Sequence, residues 1–135
     1  MNGDLYYTPA KTPDQLHPLV LAWMGDAVYE LFVRQYVIAQ PNHRPNVMHK
    51  YSTRYVSAKA QAQSLSRLLP ELTEDEKEYV RRGRNAKSGT VPKNTDIADY
   101  RQSTAFECLL GYLYYSGRME RLVELMRKSV ETAEG

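Results

Sequence analysis

The chain of 135 residues contains a single cysteine, Cys108, so no intrachain disulfide framework can form. A lone cysteine in an apolar helical run is expected to be a small core residue rather than a nucleophile. No apolar run approaches the roughly 18 residues needed to span a bilayer. The longest, residues 19–24, stops at Gly25-Asp26. Residues 1–8 lack a basic segment followed by a long apolar one, so no secretory signal is read there. A cytoplasmic location with no membrane partner is expected. His17, His43 and His49 show no ligand spacing, and with no cysteine partners they argue against zinc. Gly83 and Gly89 lack the Gly-Lys-Ser/Thr ending of a phosphate loop, which argues against nucleotide hydrolysis. No strand pattern, internal repeat or low-complexity tract is visible.

The apolar content of 42% and charged content of 25% are ordinary for a globular chain of this length, read as one domain over 1–135. Residues 1–11 read as an irregular N-terminal segment. Beyond them the periodicity is helical throughout, and the fold class expected is all-α, with six or seven helices. Thr12-Pro13-Asp14-Gln15 has the form of a capped helical turn. An apolar helix follows over about 19–39, with Val28, Leu31, Phe32 and Tyr36 as its expected buried stripe. A short helix is read over 47–51 and a longer one over 52–69, ended by Pro70. Thr73-Glu74-Asp75-Glu76 is a capping box that starts a helix running toward Arg82. Gly83 and Gly89 are read as breaking up the loop beyond it. The last two helices are placed over 103–115, on Phe106, Leu109, Leu110 and Leu113, and 118–132, on Leu122, Leu125 and Met126, with Gly117 as the cap between them.

Two carboxylates interrupt apolar helical runs, Asp26 in Gly25-Asp26-Ala27-Val28-Tyr29-Glu30 and Glu107 in Thr104-Ala105-Phe106-Glu107-Cys108-Leu109. An ionised carboxylate in such a run needs a partner, a metal or a shifted pKa. Packing of the two helices would let the acids share a hard cation such as Mg²⁺, which takes oxygen ligands. Pairing with Arg or Lys, or exposure to solvent, fits the spacing equally well. Glu30 stands at the right distance for an i,i+4 pair with Arg34. Five of the 18 Lys and Arg fall in residues 81–93 with none of the 16 Asp and Glu, so the remainder carries a net −3. A basic segment rich in Gly, Ser, Thr and Asn suits a polyanion, though a charge run is also what a solvated loop looks like. Most of the 11 tyrosines fall at helical spacing, as packing residues do.

Taken in order, Leu21-Ala22-Trp23-Met24-Gly25-Asp26-Ala27, the run Arg82-Gly83-Arg84-Asn85-Ala86-Lys87-Ser88-Gly89-Thr90, Pro92-Lys93-Asn94-Thr95-Asp96 and Ser103-Thr104-Ala105-Phe106-Glu107 resemble the ribonuclease III catalytic domain. The resemblance covers roughly residues 12–130 and is greatest to the Mini-III group, which carries that domain without a separate double-stranded-RNA-binding domain. It implies an all-helical homodimeric endoribonuclease that cuts double-stranded RNA with Mg²⁺, or Mn²⁺ in its place, and leaves 5′-phosphate ends. The implied substrate is the large (23S) ribosomal RNA precursor, with a ribosomal protein as a possible partner. The implied catalytic and metal-holding residues are Asp26 and Glu107. Arg82, Arg84, Asn85, Lys87, Ser88, Thr90, Lys93, Asn94 and Thr95 are expected to bind RNA, and Trp23 to anchor the dimer. Larger members of the family carry further acids where this chain has Leu19, Ala22 and Thr104. That departure leaves a second reading open: a non-catalytic double-stranded-RNA-binding or ribosome-associated module that keeps the fold.

Overall fold

In the computed structural model, which describes residues 5–41, 44–87 and 89–134, the described residues form six α-helices and no strand: α1 (Pro18–Ala39), α2 (Met48–Val56), α3 (Ala58–Leu68), α4 (Glu74–Asn85), α5 (Ile97–Tyr115) and α6 (Met119–Glu134). Short 3-10 turns join or precede them, among them Pro13–Gln15 ahead of α1, which has the expected capping box at Thr12. Helix α5 is the axis because its second half has almost no polar side: Ala105, Phe106, Cys108, Leu109, Leu110 and Leu113 are wholly buried. A helix apolar all round has to be surrounded, and α1, α3 and α4 pack on it, with α1 making the most extensive contact. Helix α6 closes the core with Leu122, Leu125, Met126 and Val130. Burial pushes the Cys108 thiol up to about 12, so it is a core residue as expected.

Polar contacts fix the helix ends. Thr73 and Glu76 form the capping box of α4, with bonds of 2.9 and 3.2 Å. Glu76 is buried and receives two bonds of 2.8 Å from Arg121 on α6, which ties α6 to the start of α4. Gly117, at φ +72°, makes the turn between α5 and α6 that the sequence suggested.

Four boundaries or faces differ from expectation. On α1 the buried row is Leu21, Ala22, Gly25, Tyr29, Val33 and Val37, not Val28, Leu31, Phe32 and Tyr36. Val28, Phe32 and Tyr36 pack at the edge of the core, and Leu31 is 58% exposed. The cause is a helix with two apolar faces: Val20, Trp23, Ala27 and Leu31 recur along a second row that is open to solvent. The helix expected over 52–69 is broken at Ser57, whose extended backbone ends α2 and whose hydroxyl accepts from the Ala60 N–H at 3.2 Å to start α3. Helix α4 continues to Asn85, so Gly83 is helical and lets α4 lie against Ala105 and Cys108 rather than opening a loop. Helix α5 begins six residues earlier than expected, at Ile97, because the Asp96 side chain caps it by accepting from the Asp99 N–H at 3.0 Å.

Candidate active site

The crossing of α1 and α5 creates the site. A Cβ on Gly25 would lie 1.8 Å from the Glu107 carbonyl oxygen, and one on Gly111 would lie 1.9 Å from that of Leu21. The two backbones therefore touch, which only glycine on each side permits. Asp26 follows Gly25 at the rim of this crossing and Glu107 faces it from α5, so their carboxyls lie within hydrogen-bonding reach. Asp26 is exposed and Glu107 partly buried. Burial first, then the Asp26 charge and the bond to Asp26, push the Glu107 carboxyl up to about 9. Two carboxylates this close cannot both ionise without a compensating charge. The side chain of Gln61, from α3, opposes that shift by favouring ionised Glu107. Gln61 is 1% exposed, and its Oε1 is buried without a hydrogen-bond partner. Two carboxyls meeting at this crossing fit a hard divalent cation held by oxygen. No cluster of three or more His, Cys, Asp or Glu suited to a metal occurs among the described residues. Glu30 pairs with Arg34 at 3.5 Å, as its spacing suggested, and is not drawn into the site.

The basic segment divides into two parts. Arg82, Arg84 and Asn85 belong to the last turn of α4 rather than to a loop. Arg82 is held by Glu78 at 3.0 Å and lies over the Tyr79 ring at 4.8 Å. Tyr79 stacks on Tyr112 at 3.7 Å, so this arginine is built into the α4–α5 packing. Arg84, Lys87, Thr90, Lys93 and Asn94 are exposed, and Thr95 is partly buried. Ser88 lies outside the described residues, as does His43. Asn94, at φ +63°, turns the chain back toward α5. Where the segment rejoins α5, Arg84, Asn85, Ile97, Arg101 and Gln102 line an open groove of about 660 Å³.

Comparison with known proteins settles the lineage. A family model described as the ribonuclease III domain matches residues 19–118. The chain belongs to the ribonuclease III family. It is 52% identical over 125 residues to a Brevibacillus brevis protein named Mini-ribonuclease 3, covering 93% of each chain. It is 47% identical over 117 residues to a Mini-ribonuclease 3 of Staphylococcus aureus, covering 85% of this chain and 87% of the other. A crystal structure of protein FN1578 from Fusobacterium nucleatum has the same fold, with a TM-score of 0.82, 26% identity and coverage of 90% of this chain and 98% of that one. The resemblance read from the sequence is thereby established at the level of the Mini-III group, and the chain is an endoribonuclease by family.

In this ribonuclease, two of the three positions that lack acids are buried. Ala22 is 5% exposed, and Thr104 is 8% exposed with its hydroxyl spent on the Tyr100 carbonyl at 3.0 Å. Trp23 projects from the open row of α1 and is 79% exposed. Sequence reasoning passed over two features. Gln61 shares the buried face of α3 with Ser64, Leu65 and Leu68, so it is a polar residue inside an apolar row, the same signal that singled out the two acids. None of the 16 acids falls in residues 31–70, a stretch that holds Arg34, Arg44, Lys50, Arg54, Lys59 and Arg67. A count of acids along the whole chain would have shown this second basic region.

No described helix is long and apolar enough to cross a membrane.

Proposed function

We propose that this ribonuclease is a single catalytic domain that cuts double-stranded regions of structured RNA as a cytoplasmic homodimer, using Mg²⁺ held by Asp26 and Glu107. The observation that carries the reading is the acid pair at the glycine-lined crossing of α1 and α5, with Glu107 pushed up by burial and then by its neighbour Asp26. When bound there, a divalent cation supplies an activated water and charge for the leaving oxygen. Exposed Asp26 and partly buried Glu107 would be the residues that hold it. The Gly25–Gly111 contact fixes their separation, because neither helix can slide without a backbone clash. The exposed Arg84, Lys87 and Lys93 offer positive charge to the RNA backbone. Thr90, Asn94 and Thr95 add hydrogen-bonding groups suited to ribose hydroxyls, the feature that distinguishes RNA helices. Products would carry 5′-phosphate ends. Of the structured precursors available, the large (23S) ribosomal RNA precursor is the substrate we favour, with a ribosomal protein as a partner that presents it. The exposed row Val20, Trp23, Ala27 and Leu31 supports the homodimer, since an apolar stripe on the outer side of a core helix needs a cover.

The alternative is a non-catalytic RNA-binding module. The burial of Ala22 and Thr104 favours it, because neither position adds an oxygen to the acid pair. One assay separates the two readings: cleavage of end-labelled duplex and single-stranded RNA, with Mg²⁺ or EDTA, by the wild type and by Asp26→Asn. Duplex-specific, Mg²⁺-dependent cutting that is lost in Asp26→Asn is the expected result. Binding without cutting by the wild type would establish the module instead.

A further inference from the structure

Arg34, Arg81, Arg82 and Arg121 are each held by a carboxylate, and Arg67 is bonded to Ser64 and Thr132. Arg84 and Arg101 are different. Both are exposed, and neither side chain has a hydrogen bond or ion pair among the described residues. They come from different helices, Arg84 from the last turn of α4 and Arg101 from α5, yet they line the same open groove of about 660 Å³. Asp96 is the one acid on that lining, and its Oδ1 already accepts from the Asp99 N–H to cap α5. Two unpaired guanidiniums in one cleft concentrate an attractive field for anions. The guanidinium fork also matches two oxygens of a phosphate.

The groove is tied rigidly to the acid pair. Arg101 and Glu107 are six residues apart on α5, about 9 Å along the helix axis. Gly83 fixes the other wall. A Cβ there would lie 2.6 Å from the Cys108 Cβ and 2.9 Å from the Ala105 Cα, so α4 ends against the stretch of α5 that carries Glu107. Arg84 follows Gly83 directly.

We propose that this groove is a phosphate subsite for the RNA strand, in which Arg84 and Arg101 grip one backbone phosphate from two helices and so set which nearby linkage reaches Asp26 and Glu107. The inference rests on the proposed RNA-cutting reading and adds Arg101, and a location, to it. Small ligands are held in sites that enclose most of their surface, whereas an open groove suits a strand that passes through. Asn85, on the same lining, offers an amide to the sugar beside that phosphate.

The test is binding of a labelled RNA duplex, followed by fluorescence anisotropy in EDTA over about 50–200 mM salt. The proteins are the wild type, Arg84→Gln, Arg101→Gln and Arg127→Gln. Arg127 is an exposed arginine of α6 that lines a separate groove with Phe32 and Glu131, so it removes the same charge elsewhere. Arg84→Gln and Arg101→Gln are each expected to weaken binding about tenfold and to lower the salt slope by about one, with Arg127→Gln at the wild-type slope. A duplex carrying one neutral methylphosphonate linkage, moved position by position, then locates the subsite. The wild type is expected to lose about tenfold at one linkage, and Arg101→Gln to be indifferent there. An Arg101→Gln slope equal to the wild type would overturn the proposal. So would an equal loss of slope in Arg127→Gln, or a methylphosphonate profile that Arg101→Gln shares with the wild type. A wild type without salt-dependent duplex binding would instead remove the RNA reading itself, a failure visible before any variant is measured.

Discussion

Substituting Gly25 by alanine tests the crossing on which the site depends. The added Cβ would lie 1.8 Å from the Glu107 carbonyl oxygen, 2.7 Å from its carbon and 2.9 Å from the Gly111 nitrogen. Real Cβ contacts essentially never fall below 3.0 Å, so the nearest one requires about 1.2 Å of separation. All three obstacles are helix backbone, which cannot turn aside as a side chain can. The helices must part, and a radial gap of about 0.5–1 Å already forfeits a quarter to a half of each dispersion contact. Overpacking of this kind costs about 1–3 kcal/mol and at times more. We expect at least the upper end, because α1 and α5 share the most extensive interface. For a chain of this size that lowers the melting temperature by about 10 °C. The same shift carries Asp26 away from Glu107, and a misplacement of about 1 Å is worth about 100-fold in rate. Circular dichroism melting and duplex-RNA cleavage below the melting point are the two readouts. Gly89→Ala is the control for the melting readout, since no described residue lies within 4 Å of its Cβ position. A Gly25→Ala protein that melts within about 2 °C of the wild type and cleaves at its rate would refute the reasoning, with the threshold set well below the expected shift.

Three further perturbations follow from the same geometry. Arg121→Met strands buried Glu76 and should cost about 3 kcal/mol at neutral pH by chemical denaturation. The Arg121 bonds, outweighing burial, hold the Glu76 carboxyl below its ordinary 4.5, so the contribution is present above that value and lost as pH falls; a deficit equally large at pH about 3 would contradict the pairing. Glu107, pushed up to about 9, keeps its proton in the metal-free fold while the unfolded chain ionises from 4.5 upward, so metal-free stability declines between those values. A cation held as proposed would have to displace that proton, so metal affinity should climb about tenfold per pH unit up to about 9 and then level, and calorimetry that finds no proton release at neutral pH would refute this. Trp23→Ala should weaken the proposed dimer by about 2 kcal/mol, roughly 30-fold in dissociation constant, and a wild type that sediments as a monomer at every accessible concentration would remove the interface.

The local elements were legible because their causes are local. The capping boxes at Thr12 and Thr73, the i,i+4 pair of Glu30 and Arg34, the Gly117 turn and the apolar rows of α5 and α6 depend on residues within a few positions of one another. Family motifs named Asp26 and Glu107, and the all-α class followed from periodicity that never falls to two. The face of α1 was misread because its apolar pattern serves two surfaces, the core through Tyr29, Val33 and Val37 and the outside through Val20, Trp23, Ala27 and Leu31. Periodicity reports that a row is apolar; only packing decides which row is covered. The extent of α4 was misread for a related reason. Gly83 looks like a stop in isolation, but contact with Ala105 and Cys108 stabilises it within the helix.

By itself the sequence determined the helices, the two acids worth attention and the family. The tertiary structure alone decided that those acids meet. Their separation is set by Gly25 and Gly111 letting two backbones touch, a contact between residues 86 positions apart. It alone decided that Arg82 is spent on Glu78 and Tyr79 while Arg84 stays open, because ion pairing depends on which neighbour lies within about 4 Å. It also brought Gln61, which no spacing rule connects to either acid, to Glu107 as a hydrogen-bond donor. Such juxtapositions arise from the packing of α3 and α1 on α5, and packing is a property of the whole chain rather than of any segment.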